Sequence, residues 1–171
     1  MKERPIIMST SMVSAILEGR KTMTRRVCQG QRELSNVYDF QLDRCPYGVP
    51  GDRLWVRETW RNSSHYDGTP CVCYKADNMC QCGKPAKVGV DAPYVTWRPS
   101  IHMYKSWARI WLEIIAVRVE RLQEITETDA MAEGLQGYFR AYWDSLNAKR
   151  GYPWESNPWV WVISFKRGDG L

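Results

Sequence analysis

The chain has 171 residues, with 24 Lys and Arg against 19 Asp and Glu, for a formal net charge of +5. That length supports one compact domain with a sizeable core and leaves a two-domain split strained, while the modest basic excess suits a nucleotide or nucleic-acid partner without demanding one. No apolar run approaches the roughly 20 residues of a membrane span, and Ile6-Ile7-Met8 is too short for the core of a signal peptide, so the composition excludes a membrane role and predicts a soluble, cytoplasmic protein.

The first predicted element is a short helix over Met12 to Leu17. Its apolar residues recur at helical spacing, Ser9, Thr10 and Ser11 are candidate N-caps, and Gly19 stands where a C-terminal glycine belongs. Directly after it, Gly19-Arg20-Lys21-Thr22-Met23-Thr24-Arg25-Arg26 crowds an amine, two hydroxyls and three guanidiniums into one segment entering a strand. Such a cluster is either a solvated strand edge or an anion site, and a phosphate is the commonest such anion. A lysine among guanidiniums loses its proton more readily, so Lys21 is a candidate base for the Thr24 hydroxyl. An ideal strand would point Lys21 and Thr24 to opposite faces, so that pairing requires a turn near Arg20 to Thr22.

A strand follows the turn Pro50-Gly51-Asp52, with Leu54, Val56 and Trp60 on its apolar face. Glu58 falls on that face too. A buried carboxylate is costly unless used or paired, so Glu58 is read as a pocket residue, with an ion pair to an arginine as the alternative. Residues 61–103 hold Ser, Gly, Pro, Asn and four cysteines and few strand-like runs, as expected of a long insertion between two core strands. A long strand is predicted from about Ala108 to Arg121, with Ile110, Leu112, Ile114 and Ala116 on one face. A short helix capped by Thr126 follows, with Asp129 placed as in a capping box, Glu133 as its last residue and Gly134 closing it. An acid at a helix C-terminus opposes the helix dipole, so Glu133 is either a tolerated surface residue or one kept for a task. A further helix from about Gly137 to Lys149 presents Phe139, Tyr142, Trp143 and Leu146 on one face. The run Trp159 to Phe165 is apolar on both faces, as in a central strand.

Two constellations remain. Cys71-Val72-Cys73 and Cys80-Gln81-Cys82 place four thiols close together. A cytoplasmic address argues against disulfides and makes zinc a candidate at Cys71, Cys73, Cys80 and Cys82, although pairs one residue apart are tighter than structural zinc sites favour, and free thiols are the alternative. His65 and His102 are alternative ligands; Cys28 and Cys45 read as unpaired structural residues. The insertion ends in Trp97-Arg98-Pro99-Ser100-Ile101-His102, where Trp97, Arg98, Ser100 and His102 could line a base pocket or simply form a polar turn. Nine Trp and nine Tyr against three Phe suit a core of large rings, with one or two available for base stacking.

Taken together, Ile16 to Arg26, Gly51 to Glu58, Ile125 to Leu135 and the closing strand through Phe165-Lys166 resemble an ASCH domain, a relative of the PUA-like barrels that bind RNA and modified bases. Cys45-Pro46-Tyr47-Gly48, Ser100 to Met103 and Asn157 to Trp161 resemble the longer ASCH proteins of bacteriophages and prophages. The resemblance implies an α+β fold: a PUA-like mixed β-barrel with short flanking helices, one domain over residues 1–171 with the cysteine-containing insertion at about 61–103. One branch of that family hydrolyses N4-acetylcytidine with a lysine, a threonine and a glutamate. The matching positions imply that Lys21 deprotonates Thr24, that Thr24 attacks the amide carbonyl and that Glu133 handles protons or orients the base. Arg25, Arg26 and Glu58 add charges near this site that favour a phosphorylated nucleotide or nucleic acid. No cofactor is required, zinc being at most structural. The functional expectation is an amidohydrolase acting on N4-acetylcytidine or a related cytosine; the alternatives are a non-catalytic module binding RNA or a modified nucleotide, and a phage accessory protein acting through a protein partner.

Overall fold

The protein is described by a computed structural model over residues 1–29, 42–64, 70–84, 96–135 and 137–168; His65 lies outside these. Five strands, β1 (Glu3–Ile7), β2 (Met23–Val27), β3 (Arg53–Arg57), β6 (Trp111–Arg121) and β7 (Trp159–Gly168), form one sheet in the order β1-β3-β6-β7-β2. Two more, β4 (Trp60–Ser64) and β5 (Pro70–Tyr74), pair separately as an antiparallel sheet. β1 and β3 run parallel and the other neighbours antiparallel, so the main sheet is mixed. With α1 (Thr10–Leu17), α2 (Glu127–Ala132) and α3 (Phe139–Asn147), the architecture is α+β, as expected. The two edges of the sheet approach one another: Arg26 Nη2 on β2 donates to Ile7 O on β1 at 2.6 Å.

β7 is apolar on both faces because it separates two cores. Trp161, Ile163 and Phe165 pack with Ile6, Leu54, Leu112 and helix α1. Val160 and Val162 pack with Leu122, Phe139 and Trp143 beneath α3.

The long strand β6 departs from simple alternation. It starts at Trp111, after a single turn of 3₁₀ helix at Lys105–Trp107. A β-bulge between Ile114 and Ala116 then inserts one residue. Ile114 is buried, whereas Ala116, expected on the same face, is exposed, and Val117 and Val119 take over the core side. A bulge exchanges the two faces of the strand beyond it. Arg118 and Glu120 therefore point to the side of Arg25, since Arg25 and Arg118 both register with Val162.

Two further expectations shift. The segment taken as poor in strands contains β5 and nearly all of β4; Trp60, Val72 and Tyr74 supply their apolar side and pack with Met103 as a small third core. On α3, Leu146 is 46% exposed while Asn147 is buried. Asn147 can sit inside because its Nδ2 donates to Trp143 O at 3.2 Å.

Candidate active site

The site begins with how α1 ends. Ser9 caps its start, accepting from Met12 N at 3.4 Å, and Gly19 takes φ 75° after its last turn. Arg20 N and Lys21 N then both donate to Ala15 O, at 2.9 and 3.0 Å, and Thr22 N donates to Ala132 O at 2.8 Å. The chain is thus turned and pinned between the ends of α1 and α2 before β2 begins. Lys21 pairs with Glu133 as an isolated antiparallel bridge. Gly134 makes this approach close enough: at φ 80°, a Cβ there would lie 2.8 Å from Ala15 Cβ and 3.1 Å from Lys21 Cβ. This corner is the turn needed to bring Lys21 and Thr24 to one cavity.

Lys21 is 3% exposed. Its Nζ donates to Glu133 Oε2 at 2.7 Å, to Glu133 O at 3.1 Å and to Met23 O at 2.7 Å. Burial is the main influence on its proton and lowers its pKa; Arg25 and Arg26 add to this, and the Glu133 carboxylate opposes it. Glu133, the C-cap of α2, is 4% exposed. Its position against the helix dipole is offset by its cations: Lys21 at Oε2, and Arg25 Nη1 at 3.5 Å from Oε1. Oε1 itself is buried and accepts no hydrogen bond among the described residues.

A cleft of about 320 Å3 runs along the free edge of β2, between the end of β1 and helix α3. Because β2 pairs only with β7 among the described residues, side chains from both of its faces reach the lining, Thr24 and Arg26 from one, Arg25 and Val27 from the other. Lys21, Glu133 and the rings of Phe139, Tyr142 and Trp143 complete its inner part. The Thr24 side chain is buried, and its hydroxyl makes no hydrogen bond to a described residue. Tyr142 OH meets Ser9 Oγ at 3.2 Å, and burial raises the Tyr142 pKa.

The two arginines of β2 have different surroundings. Arg25 is buried and held by carboxylates: Glu120 Oε1 at 2.5 Å, Asp129 Oδ2, and Glu133 at longer range. Arg118 bonds the same two acids, Glu120 at 2.9 Å and Asp129 at 2.6 Å. Asp129, expected to cap its own helix, instead joins this network while its backbone N–H donates to Thr126 Oγ1. Arg26 meets no carboxylate among the described residues; it donates to Ile7 O, and its Nε is buried without a partner.

Several residues singled out in the sequence stand elsewhere. Glu58 does not line the cleft; it is 1% exposed and bidentate to Arg109, with Nε and Nη2 both at 2.9 Å. Burial raises its pKa and Arg109 pulls the other way. The ion pair is therefore its role, because a carboxylate on that face has no water to solvate it. Trp97, Arg98 and His102 do not line the cleft either, whereas Ser100 does. Trp97 stacks under Arg61 at 4.8 Å, Arg98 lies over Trp60 at 5.2 Å and bridges it through the backbone, and His102 is exposed.

Of the four insertion cysteines, Cys71, Cys73 and Cys80 come together, with ligand atoms within 4.8 Å of one another, a grouping able to hold a metal ion. Cys82 is exposed and outside the group. Cys73 and Cys80 are disulfide-bonded, against the expectation of reduced thiols; an isolated antiparallel bridge places Cys80 directly opposite Cys73 of β5.

Sequence reasoning missed the α3 contribution to the cleft. The signal was available: Asn147 and Arg150 follow Phe139 and Trp143 at helical spacing, polar groups on an otherwise apolar stripe. It also missed Glu120 and Arg118, which the bulge alone turns toward Arg25.

A scan against protein-family models gives no match, and a search of curated proteins gives none. Among solved structures, the chain is similar to an ASCH domain from Lactobacillus crispatus at 13% identity and a TM-score of 0.47, over 97% of this chain and 79% of that one. It is similar to a protein from Enterococcus faecalis of the DUF984 family at 12% identity and a TM-score of 0.47, over 99% of this chain and 77% of that one. The first is the domain that the sequence motifs resemble. Both likenesses concern the arrangement of backbone elements, and neither speaks to what the cleft holds. Among the described residues no helix is long and apolar enough to cross a membrane.

Proposed function

We propose that the cleft binds a modified cytosine nucleoside or nucleotide and hydrolyses an N4-acyl group, as in N4-acetylcytidine. The observation that carries this reading is the buried Lys21–Glu133 pair, whose Glu133 Oε1 accepts no hydrogen bond among the described residues, in one cavity with the Thr24 side chain, whose hydroxyl bonds no described residue. An orphaned buried acceptor calls for a donor from a ligand, and the N–H groups of a cytosine amide or amine supply one. The volume, about 320 Å3, lies at the small end of ligand pockets and suits one nucleoside. The rings of α3 offer it a stacking wall.

In the proposed reaction Thr24 Oγ1 attacks the acyl carbon as its proton passes to the neutral Lys21 amine. The tetrahedral intermediate collapses, the C–N bond breaks, and Lys21 returns the proton to the departing cytosine amine, which Glu133 Oε1 orients. Water then cleaves the threonine ester, releasing the carboxylic acid and the free hydroxyl. Burial lowers the Lys21 pKa and so eases loss of one of the three protons that its Nζ donates at rest. Any zinc at the sulfur cluster is structural, since that cluster stands apart from the lining of the cleft.

The test is incubation of the protein with N4-acetylcytidine, following cytidine and acetate. Turnover that vanishes in Thr24→Ala supports the reading, and wild type without turnover on any N4-acylated cytosine ends it. A binding-only role is favoured by one feature: Arg26 and Arg150 both line the cleft and neither meets a carboxylate among the described residues. Salt-sensitive binding of cytidine nucleotides or RNA without turnover would establish that second reading.

A further inference from the structure

The densest group of reactive side chains outside the cleft is the sulfur cluster. Cys71 and Cys73 are two apart on β5 and so leave it on the same face. Cys80 stands opposite Cys73 across an isolated bridge and is disulfide-bonded to it. Cys71 is a free, half-buried thiol, and its Sγ lies 3.5 Å from Cys80 Sγ and 4.0 Å from Cys73 Sγ. A disulfide clip needs two cysteines; the third thiol against both of its sulfurs has no part in it.

We propose that these three residues form a redox-gated metal site, closed by the Cys73–Cys80 disulfide when oxidised and binding one zinc ion through three thiolates when reduced. Zinc–thiolate bonds of about 2.3 Å set the sulfur–sulfur edge of a tetrahedral site at about 3.8 Å. The two non-bonded separations, 3.5 and 4.0 Å, bracket that edge. Opening the site takes a two-electron reductant: the S–S bond breaks, Cys73 and Cys80 each gain an electron and a proton, and a dithiol leaves as its own disulfide or, with water, a phosphine leaves as its oxide. Zinc then displaces the three thiol protons without further electron transfer. The fourth position falls to solvent or to Cys82, the exposed thiol two residues beyond Cys80.

Both states close the same loop. Between Cys73 and Cys80, Asp77 Oδ2 accepts from Arg109 at 2.6 Å and Ala76 O accepts from Ser14 Oγ at 3.2 Å. Either link therefore holds the loop against α1 and against the arginine that neutralises Glu58. The site exchanges a covalent clip for a metal one while keeping its surroundings.

The experiment uses the full chain, reduced with a phosphine that is then removed under anaerobic conditions, and titrated with Co2+ as a spectroscopic probe before zinc is measured by elemental analysis. The reduced chain should take up one ion with the absorption of tetrahedral cobalt–thiolate, and the oxidised chain none. When unfolded, the oxidised chain should show four reactive thiols, since four of its cysteines are free, and the reduced chain all six. Cys71→Ser should lose the metal yet still form the disulfide, which checks that it folds. Reduced wild type that binds no stoichiometric metal, or oxidised protein that binds it equally well, overturns the proposal.

Discussion

Lys21→Met tests the energetic core of the candidate site apart from any activity. The substitution keeps an unbranched side chain one atom shorter and removes its charge. Three hydrogen bonds disappear, to Glu133 Oε2, Glu133 O and Met23 O. The Glu133 carboxylate stays buried, with Arg25 Nη1 at 3.5 Å as its remaining cation. Removing one member of a buried pair costs about 3–5 kcal/mol, and the residual Arg25 contact sets the expectation at the lower end, about 3 kcal/mol. With a urea m-value of about 2 kcal/mol/M, the unfolding midpoint should fall by roughly 1.5 M. Glu133→Leu alone should also destabilise, because it leaves the lysine buried. The double change removes both charges, so it should cost less than Lys21→Met alone. Urea unfolding of the four proteins, followed by tryptophan fluorescence, measures every term. A midpoint drop below about 0.5 M for Lys21→Met, or a double mutant whose loss equals the sum of the two singles, would refute the reasoning.

Other outcomes follow from the same geometry. Arg26→Gln should weaken binding of a cytidine nucleotide and flatten its salt dependence, whereas Arg25→Gln should chiefly lower stability, because Arg25 is committed to carboxylates; equal effects on the salt slope would contradict this. Folding lowers the Lys21 pKa, so between that value and the roughly 10.4 of the unfolded chain the unfolded state binds more protons and stability should rise with pH. Wild type should therefore gain on Lys21→Met across that window in paired denaturation curves, and turnover of an N4-acylated cytosine should rise as the amine loses its proton. Gly134→Ala should destabilise through its left-handed backbone and the contact with Ala15, detectable as a lower thermal midpoint; an unchanged midpoint would show that α1 can yield.

Local signals carried much of this fold. The Ser9 and Thr126 caps, the glycines closing α1 and α2, and the apolar run of β7 each depend on residues near in sequence, and each stands where the pattern places it. Lys21, Thr24 and Glu133 were legible as chemistry, and the structure brings all three to one cleft. What sequence could not supply was the partner of each charge. Glu58 finds Arg109, and Arg25 finds Glu120 and Asp129, at separations of 51, 95 and 104 residues. No local periodicity encodes such pairings. The bulge at Ile115 was equally hidden, since one inserted residue leaves a strand looking apolar and alternating on either side while reversing which face is inside.

The sheet order has a consequence for the chain as it is being made. Among the described residues β2, which carries Thr24, Arg25 and Arg26, has β7 as its only sheet partner, and the register sets Val27 opposite Val160, 133 positions later. On the ribosome, β1, β3 and β6 can pair as soon as β6 emerges, but β2 has no ladder to join until β7 is synthesised. The strand that carries Thr24 is thus an early-made, late-folding element, and its apolar neighbour β7 must find two partners at once. A nascent chain halted before Trp159 would hold a three-stranded sheet and an unassembled cleft, so protease protection of the β2 segment should appear only when the last strand has left the exit tunnel.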